Sequence, residues 1–162
     1  MKTEQKNIGT EKALQKIRQF CGYQERTHQE VKDKLYRYGL YRKDVELLLT
    51  QMIEENYLNE ERYAIAFAGG KFRIKKWGRV KITYELKQKR VSEYCIREAL
   101  STIEEEDYRK TIRGLFHQKK QSLSREKNVF VKKQKIRSFL LQRGFEPSLI
   151  MELMQQWPDS GT

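Results

Sequence analysis

Long apolar runs are missing from this chain. No window approaches the ~20 consecutive apolar residues that a membrane-crossing helix needs, and the first ten residues, MKTEQKNIGT, hold no apolar stretch of the kind that opens a secretory leader. A cytoplasmic location without membrane contact is therefore expected. Cysteine is scarce. Cys21 and Cys95 are too few and too isolated for a disulfide framework or a zinc cluster, so both are expected as buried, reduced thiols. His28 and His117 stand far apart, and neither has a second ligand at a metal-binding spacing. No phosphate-binding glycine loop, paired-ligand helix or nucleophile elbow occurs. Gly69-Gly70 lies inside a helical pattern without the Lys-Ser/Thr of such a loop, and close helix packing is its expected role. No catalytic site, metal or cofactor is expected.

Proline and glycine are also sparse, two and nine among 162 residues, while 35% of residues are charged. Lys, Glu, Leu, Gln and Arg dominate, which favours helix over strand. With only 38% hydrophobic residues, thin apolar layers between short helices fit better than one thick core. Internal repetition then sets the architecture. The stretches VKDKLYRYGLYRKDVELLL from Val31, ITYELKQKRVSEYCIREAL from Ile82 and IRSFLLQRGFEPSLIMELM from Ile136 align without gaps, at offsets of 51 and 54 residues. Val31, Ile82 and Ile136 coincide. So do Leu35, Leu86 and Leu140 one helical turn later, which places each pair on one face. Gly39, Arg90 and Gly144 fall where that helix ends, a position that favours the left-handed backbone of glycine; Arg90 departs from the rule. An apolar residue follows (Leu40, Val91, Phe145). Then Val45, Ile96 and Ile150, with Leu48, Ala99 and Leu153, trace a second amphipathic helix.

A further helix precedes each pair: residues 12–24 with Ala13, Leu14, Ile17 and Phe20 on one side; a helix opened by Asn59 and closed near Trp77-Gly78; and one carrying Tyr108, Ile112, Leu115 and Phe116, followed by a polar connection from Gln121 to Asn128. Thr27 and Glu30 have capping-box spacing, and Pro147 suits a first helical position. The pattern predicts an all-α protein: three tandem three-helix repeats in an elongated, curved array. The expected units are 12–58, 59–107 and 108–154, with flexible ends at 1–11 and 155–162. Each triplet is expected to lean on its neighbours to bury its apolar face.

The net charge is +12, and it is unevenly spread. From Lys71 to Arg90 nine basic residues (Lys71, Arg73, Lys75, Lys76, Arg79, Lys81, Lys87, Lys89 and Arg90) face Glu85 alone, with Phe72, Trp77 and Tyr84 interleaved. A second tract, Arg109 to Arg137, includes Lys132, Lys133, Lys135 and Arg137 and is opposed only by Glu126. Two basic tracts at equivalent places in successive repeats imply a basic stripe fitted to a long polyanion or an acidic groove. The thirteen side chains just named, without Phe72, Trp77 and Tyr84, are the candidate binding face. For the aromatics, core packing is favoured over base stacking, because their spacing matches that of other apolar residues. An alternative is a helix-turn-helix DNA binder. Against it, the third helices, where recognition residues would lie, are rich in acids such as Asp44, Glu46, Glu54 and Glu55.

Tyr57-Leu58-Asn59-Glu60-Glu61-Arg62-Tyr63-Ala64 resembles the Y-L-[DN]-[DE]-x-R-[FY]-A signature joining the first two repeats of the RecX family. Gly78-Arg79-Val80-Lys81-Ile82, with Glu85-Leu86 and Lys89-Arg90-Val91, is similar to that family's G-x-x-[KR]-I-x-x-E-L-x-x-[KR]-G-[IV] stretch, Arg90 replacing the usual glycine. Glu30, Leu35 and Gly39 match its first-repeat pattern. The resemblance covers about residues 12 to 154 and is weakest in the third repeat. It implies a regulator that is not an enzyme. Such a protein binds RecA–DNA filaments along the helical groove, contacts single- or double-stranded DNA there, and modulates RecA ATP hydrolysis, strand exchange and filament growth, with inhibition the expected sign. A monomer is expected.

Overall fold

The computed structural model describes residues 6–157, and among these there are nine α-helices, one π-helical turn and no strand. The helices fall into three tandem triplets. The first holds α1 (Thr10–Tyr23), α2 (His28–Arg37) and α3 (Arg42–Glu54). The second holds α4 (Glu60–Gly70), which runs on into the π turn Lys71–Lys75, then α5 (Arg79–Gln88) and α6 (Glu93–Ser101). The third holds α7 (Glu105–Ser122), α8 (Val129–Gln142) and α9 (Pro147–Gln155). Of the ends expected to be flexible, 1–5 and 158–162 lie outside the described residues. Ordered structure reaches past the remainder. The Ile8 amide donates to the Tyr38 carbonyl at 3.1 Å, α1 begins at Thr10, and Trp157 is buried beyond α9.

Local chemistry explains the helix limits. Thr27 accepts from the Glu30 amide at 3.0 Å while the Glu30 carboxylate takes the Thr27 amide, so the capping box at α2 is closed. Asn59, Ser92 and Asn128 cap α4, α5's successor α6, and α8 through their side-chain oxygens, and Pro147 is the first residue of α9. Helices α2 and α8 end at Gly39 and Gly144, with φ of +85° and +92°. Arg90, at the matching place after α5, takes the same left-handed backbone at φ +62°. Both glycines are also needed sterically. A Cβ on Gly39 would lie 2.7 Å from the Asn7 backbone, and one on Gly144 would lie 2.6 Å from the Lys81 nitrogen. The connection after α7 is shorter than expected, since Gln121 and Ser122 are still helical.

The apolar interior is divided unevenly. Ala13, Ile17, Val31, Leu35, Val45, Leu48, Met52 and Leu58 form a core belonging to the first triplet alone. The second and third triplets share one core, running from Tyr63 and Ala64 through Ile82, Leu86, Tyr108 and Ile136 to Phe145 and Trp157. The uniform leaning of repeat on repeat, expected from the sequence, is thus confined to the last two triplets. Side-chain volume gives the reason. Bulky aliphatic residues let the first triplet close on itself. Helix α4 instead offers Ala64 and Ala68, which let α6 pack close but leave a thin layer. Aromatic rings fill it from the neighbour: Phe72 stacks on Tyr108 at 5.8 Å, and Tyr108 meets Phe145 at 5.4 Å. The junction is fixed where Gly78 meets the end of α8. Its amide donates to the Arg143 carbonyl at 2.8 Å, the Val80 amide donates to the Gly144 carbonyl at 2.9 Å, and a Cβ on Gly78 would lie 2.5 Å from the Phe145 nitrogen.

The glycine pair after Ala68 does something other than bring helices together. The Arg73 guanidinium folds over Gly69, where a Cβ would lie 2.8 Å from its Nη1, and Gly70 faces open space. Directly after them the helix widens into the π turn and stops at Lys76, whose φ of +56° is left-handed.

Candidate functional site

The basic residues singled out by the sequence separate into distinct settings. Lys71, at the start of the π turn, and Lys81, on α5, approach the Trp77 ring at 5.0 and 4.5 Å. Lys71 is also 5.5 Å from the Phe67 ring, and Lys89 approaches that ring at 5.7 Å. Phe67 and Trp77 meet edge to face at 6.4 Å and are both half-buried. Arg73, Lys75 and Lys76 project from the π turn and are exposed. Lys87 lies on the other flank of α5, beside Thr83, Glu93 and Arg97. Arg90 donates to the Gln29 side-chain oxygen Oε1 at 3.3 Å. With Lys89 it lines a cleft of about 180 Å³ between the first two triplets, together with His28, Lys32 and Glu60. On α8, Lys135 pairs with Glu126 at 3.8 Å, Lys133 lies 5.4 Å from the Trp157 ring, Lys132 is half-buried and Arg137 is exposed.

Arg79 stands apart from the other twelve candidates in being engaged by two carboxylates and a ring. Its guanidinium bonds Glu146 at 2.9 Å and also Glu105, and it lies 3.8 Å over the Tyr108 ring, whose hydroxyl accepts from the Arg79 amide at 3.0 Å and donates to Glu146. Burial opposes its charge, but the two carboxylates outweigh it and raise its proton affinity above the ordinary arginine value. Glu105 is held below the usual carboxylate range by hydrogen bonds from Arg79 and then Arg109. Burial, followed by the bond to Glu146, pushes the Tyr108 hydroxyl up. This charge is spent on joining the second and third triplets. Arg109 is similarly occupied, by Glu105 and Glu152 at 3.0 and 3.1 Å.

Some participants were not singled out. Arg143, capping α8, donates to the Lys75 carbonyl at 2.6 Å and lies 5.2 Å over Phe139, which Lys119 of α7 approaches at 5.2 Å from its own side. The cationic groups therefore connect across all three triplets: from Lys119 through Phe139 and Arg143 to the π turn, through Trp77 and Phe67 to Lys89, and through Arg90 to Gln29 on α2. Phe139 and Arg143 sit at the aligned positions of Lys34 and Tyr38 in the first triplet. There Lys34 approaches the Phe20 and Tyr38 rings at 5.5 and 5.9 Å. The first and third triplets thus keep a cation–ring contact at this place while the two residue types exchange positions, so only the paired identities, not charge alone, would have revealed it. Of the interleaved aromatics, Phe72 is in the core as expected, Trp77 is half-buried and Tyr84 is exposed. Among the described residues no cluster of three or more His, Cys, Asp or Glu side chains is placed to hold a metal, and no helix is long and apolar enough to cross a membrane.

Comparison with known proteins agrees with this architecture. Residues 59–100 match the family model of the RecX second three-helix domain, and residues 105–154 that of the third. The chain is 34% identical over 122 residues to the regulatory protein RecX of Clostridium perfringens (strain 13 / Type A), covering 75% of this chain and 57% of that relative. It is 27% identical over 147 residues to the regulatory protein RecX of Prosthecochloris aestuarii, covering 91% and 94% respectively. It spans less than two thirds of the length of its clostridial relatives. The crystal structure of RecX from Lactobacillus salivarius superposes with a TM-score of 0.83 at 21% identity, over 91% of this chain and 95% of that one. Two consecutive domain matches in the family's own order, on a fold of matching triplets, establish that this chain belongs to the RecX family of regulatory proteins.

Proposed function

We propose that this chain regulates homologous recombination by seating itself in the helical groove of a RecA–DNA filament, where it slows ATP hydrolysis, strand exchange and filament growth. The carrying observation is the connected run of cations from Lys119 on α7 to Arg90, which in turn bonds Gln29 on α2; such a run suits a long anionic furrow better than a compact site does. Lys71, Arg73, Lys75, Lys76, Lys81, Lys87, Lys89 and Arg90 of the second triplet, with Lys132, Lys133, Lys135 and Arg137 of the third, are the proposed contacts to filament protein or DNA; Arg143 and Lys119 join them, and Arg79 does not. Bridging several protomers adds affinity through effective concentration and opposes the protomer movements that accompany ATP turnover. In this reading the chain acts as a cytoplasmic monomer, without cofactor and without catalysis of its own.

Co-sedimentation with RecA assembled on single-stranded DNA in a slowly hydrolysed ATP analogue tests the proposal, with RecA ATPase measured in parallel. Binding and a lowered ATPase rate are expected. Absence of binding at moderate salt and micromolar protein would overturn it. A footprint showing sequence-specific protection of free duplex DNA would instead support a helix-turn-helix repressor.

A further inference from the structure

Charge alone accounts for the groove reading and leaves the Phe67–Trp77 pair unused. Three ammonium groups, those of Lys71, Lys81 and Lys89, stand within 6 Å of these two rings, and among the described residues none has a carboxylate within 4.0 Å. Each such contact with a ring at an exposed site is worth only about 0.5–1 kcal/mol, too little to hold three like charges together strongly. The rings are half-buried, so packing against the core fixes their planes. The adjoining π turn adds Arg73, Lys75 and Lys76 and ends in a left-handed lysine, a local departure from helix that often marks a functional site. A half-buried ring flanked by amines that have no carboxylate partner is suited to a ligand with one flat apolar face and several anionic groups spaced around it.

We propose that Trp77, backed by Phe67, is a stacking site for an unpaired base of single-stranded nucleic acid, and that Lys71, Lys81 and Lys89 swing from the rings to the flanking phosphates. Recessed rings cannot reach bases stacked inside a duplex, whereas a splayed base can reach them. The inference takes its location from the groove reading, but its chemistry needs no RecA.

The test is a fluorescence titration of the full chain and of Trp77→Phe, without RecA, the difference isolating Trp77 from Trp157. The probes are an oligothymidylate, an abasic oligomer of equal length and charge, and a duplex. Oligothymidylate is expected to quench Trp77 and to bind about 10-fold more tightly than the abasic oligomer, with Trp77→Phe losing most of that difference. Part of the quenching should survive at high salt, because stacking does not release counterions. Phe67→Leu, which keeps an apolar filler in place, is expected to act in the same direction and so guards against a folding artefact. Equal binding of the abasic oligomer, or an unchanged preference in both variants, would overturn the stacking site. Filament co-sedimentation run alongside separates the two readings: loss of filament binding with base-dependent quenching retained sinks the groove proposal and leaves this one standing.

Discussion

Arg79 shows how a single residue's role turns on what it touches. It lies in the densest basic stretch of the chain, yet its guanidinium is closed in by Glu105, Glu146 and the Tyr108 ring. Removing it leaves the half-buried Glu146 carboxylate and the exposed Glu105 without their shared counter-charge, at a cost of about 2 kcal/mol for a charged hydrogen-bonded group. Arg79→Gln is therefore expected to lower the thermal midpoint by several degrees while leaving polyanion affinity within two-fold, measured where both proteins are folded. Lys81→Gln should do the reverse. A weaker Arg79→Gln complex with unchanged melting would restore Arg79 to the binding face. The chain's acid sensitivity follows from the same clamp. The folded pKa of Glu105 lies below its ordinary value of 4.5, so its contribution to stability is in place above that pH and is withdrawn as the pH falls below it. Glu55, held down by Arg18 and Gln51, adds in the same sense. Unfolding midpoints should drop as the pH is lowered through this region, and the drop should shrink in Arg79→Gln. Nothing along the chain marks Arg79 as different from Lys81, because its partner Glu146 is 67 residues away. Capping pairs such as Thr27–Glu30 were legible because donor and acceptor are three residues apart.

At the scale of the helix, the three aligned termini form a natural comparison. Gly39, Arg90 and Gly144 all adopt positive φ, but only the glycines are pressed against neighbouring backbone. Left-handed geometry costs a side-chain-bearing residue about 1–2 kcal/mol. Arg90→Gly should thus stabilise the protein, by about 0.5–1 kcal/mol after the added flexibility of the unfolded chain is subtracted. Gly144→Ala combines the same backbone cost with a collision against Lys81, and is expected to destabilise by more than 2 kcal/mol. Urea unfolding of both variants checks the signs; a destabilised Arg90→Gly would mean that the bond from Arg90 to Gln29 outweighs the strain. The repeat phasing, and with it these termini, was readable because glycine and apolar spacing are local properties. The π turn was not, since no spacing rule separates five residues of π geometry from one more turn of α-helix. Nor was the role of Gly69 beneath Arg73.

For the molecule as a whole, the division of the core matters more than the number of repeats. The first triplet owns its interior, and its junction with the second is largely polar. Arg62, from the family signature, stitches that junction: its Nε donates to Glu25 at 2.5 Å, and its Nη groups donate to the Asn56 side chain and to the Asn56 and Tyr57 carbonyls at 3.0–3.3 Å. His28 and Glu60 approach to 4.0 Å nearby. The signature's conspicuous residues thus build joints, with Gly78 and Arg79 serving the second joint as Arg62 serves the first. That is why the motif is easy to see in the sequence, whereas the proposed binding face, which has no fixed spacing, is not. Two cores imply two cooperative units, so amide exchange should show the second and third triplets opening together and the first opening separately. Arg62→Ala would loosen the first joint without touching any of the proposed contact residues, and would strand the Glu25 carboxylate, one oxygen of which is already buried without a partner. If filament binding depends on several contacts held in fixed relation, a loose joint lowers their effective concentration. Co-sedimentation with RecA filaments should then weaken several-fold in Arg62→Ala, while quenching of Trp77 by free oligothymidylate, a local event within the second triplet, stays unchanged. Equal filament binding by the variant and the parent would mean that the second and third triplets alone carry the interface, and that the first is a passenger.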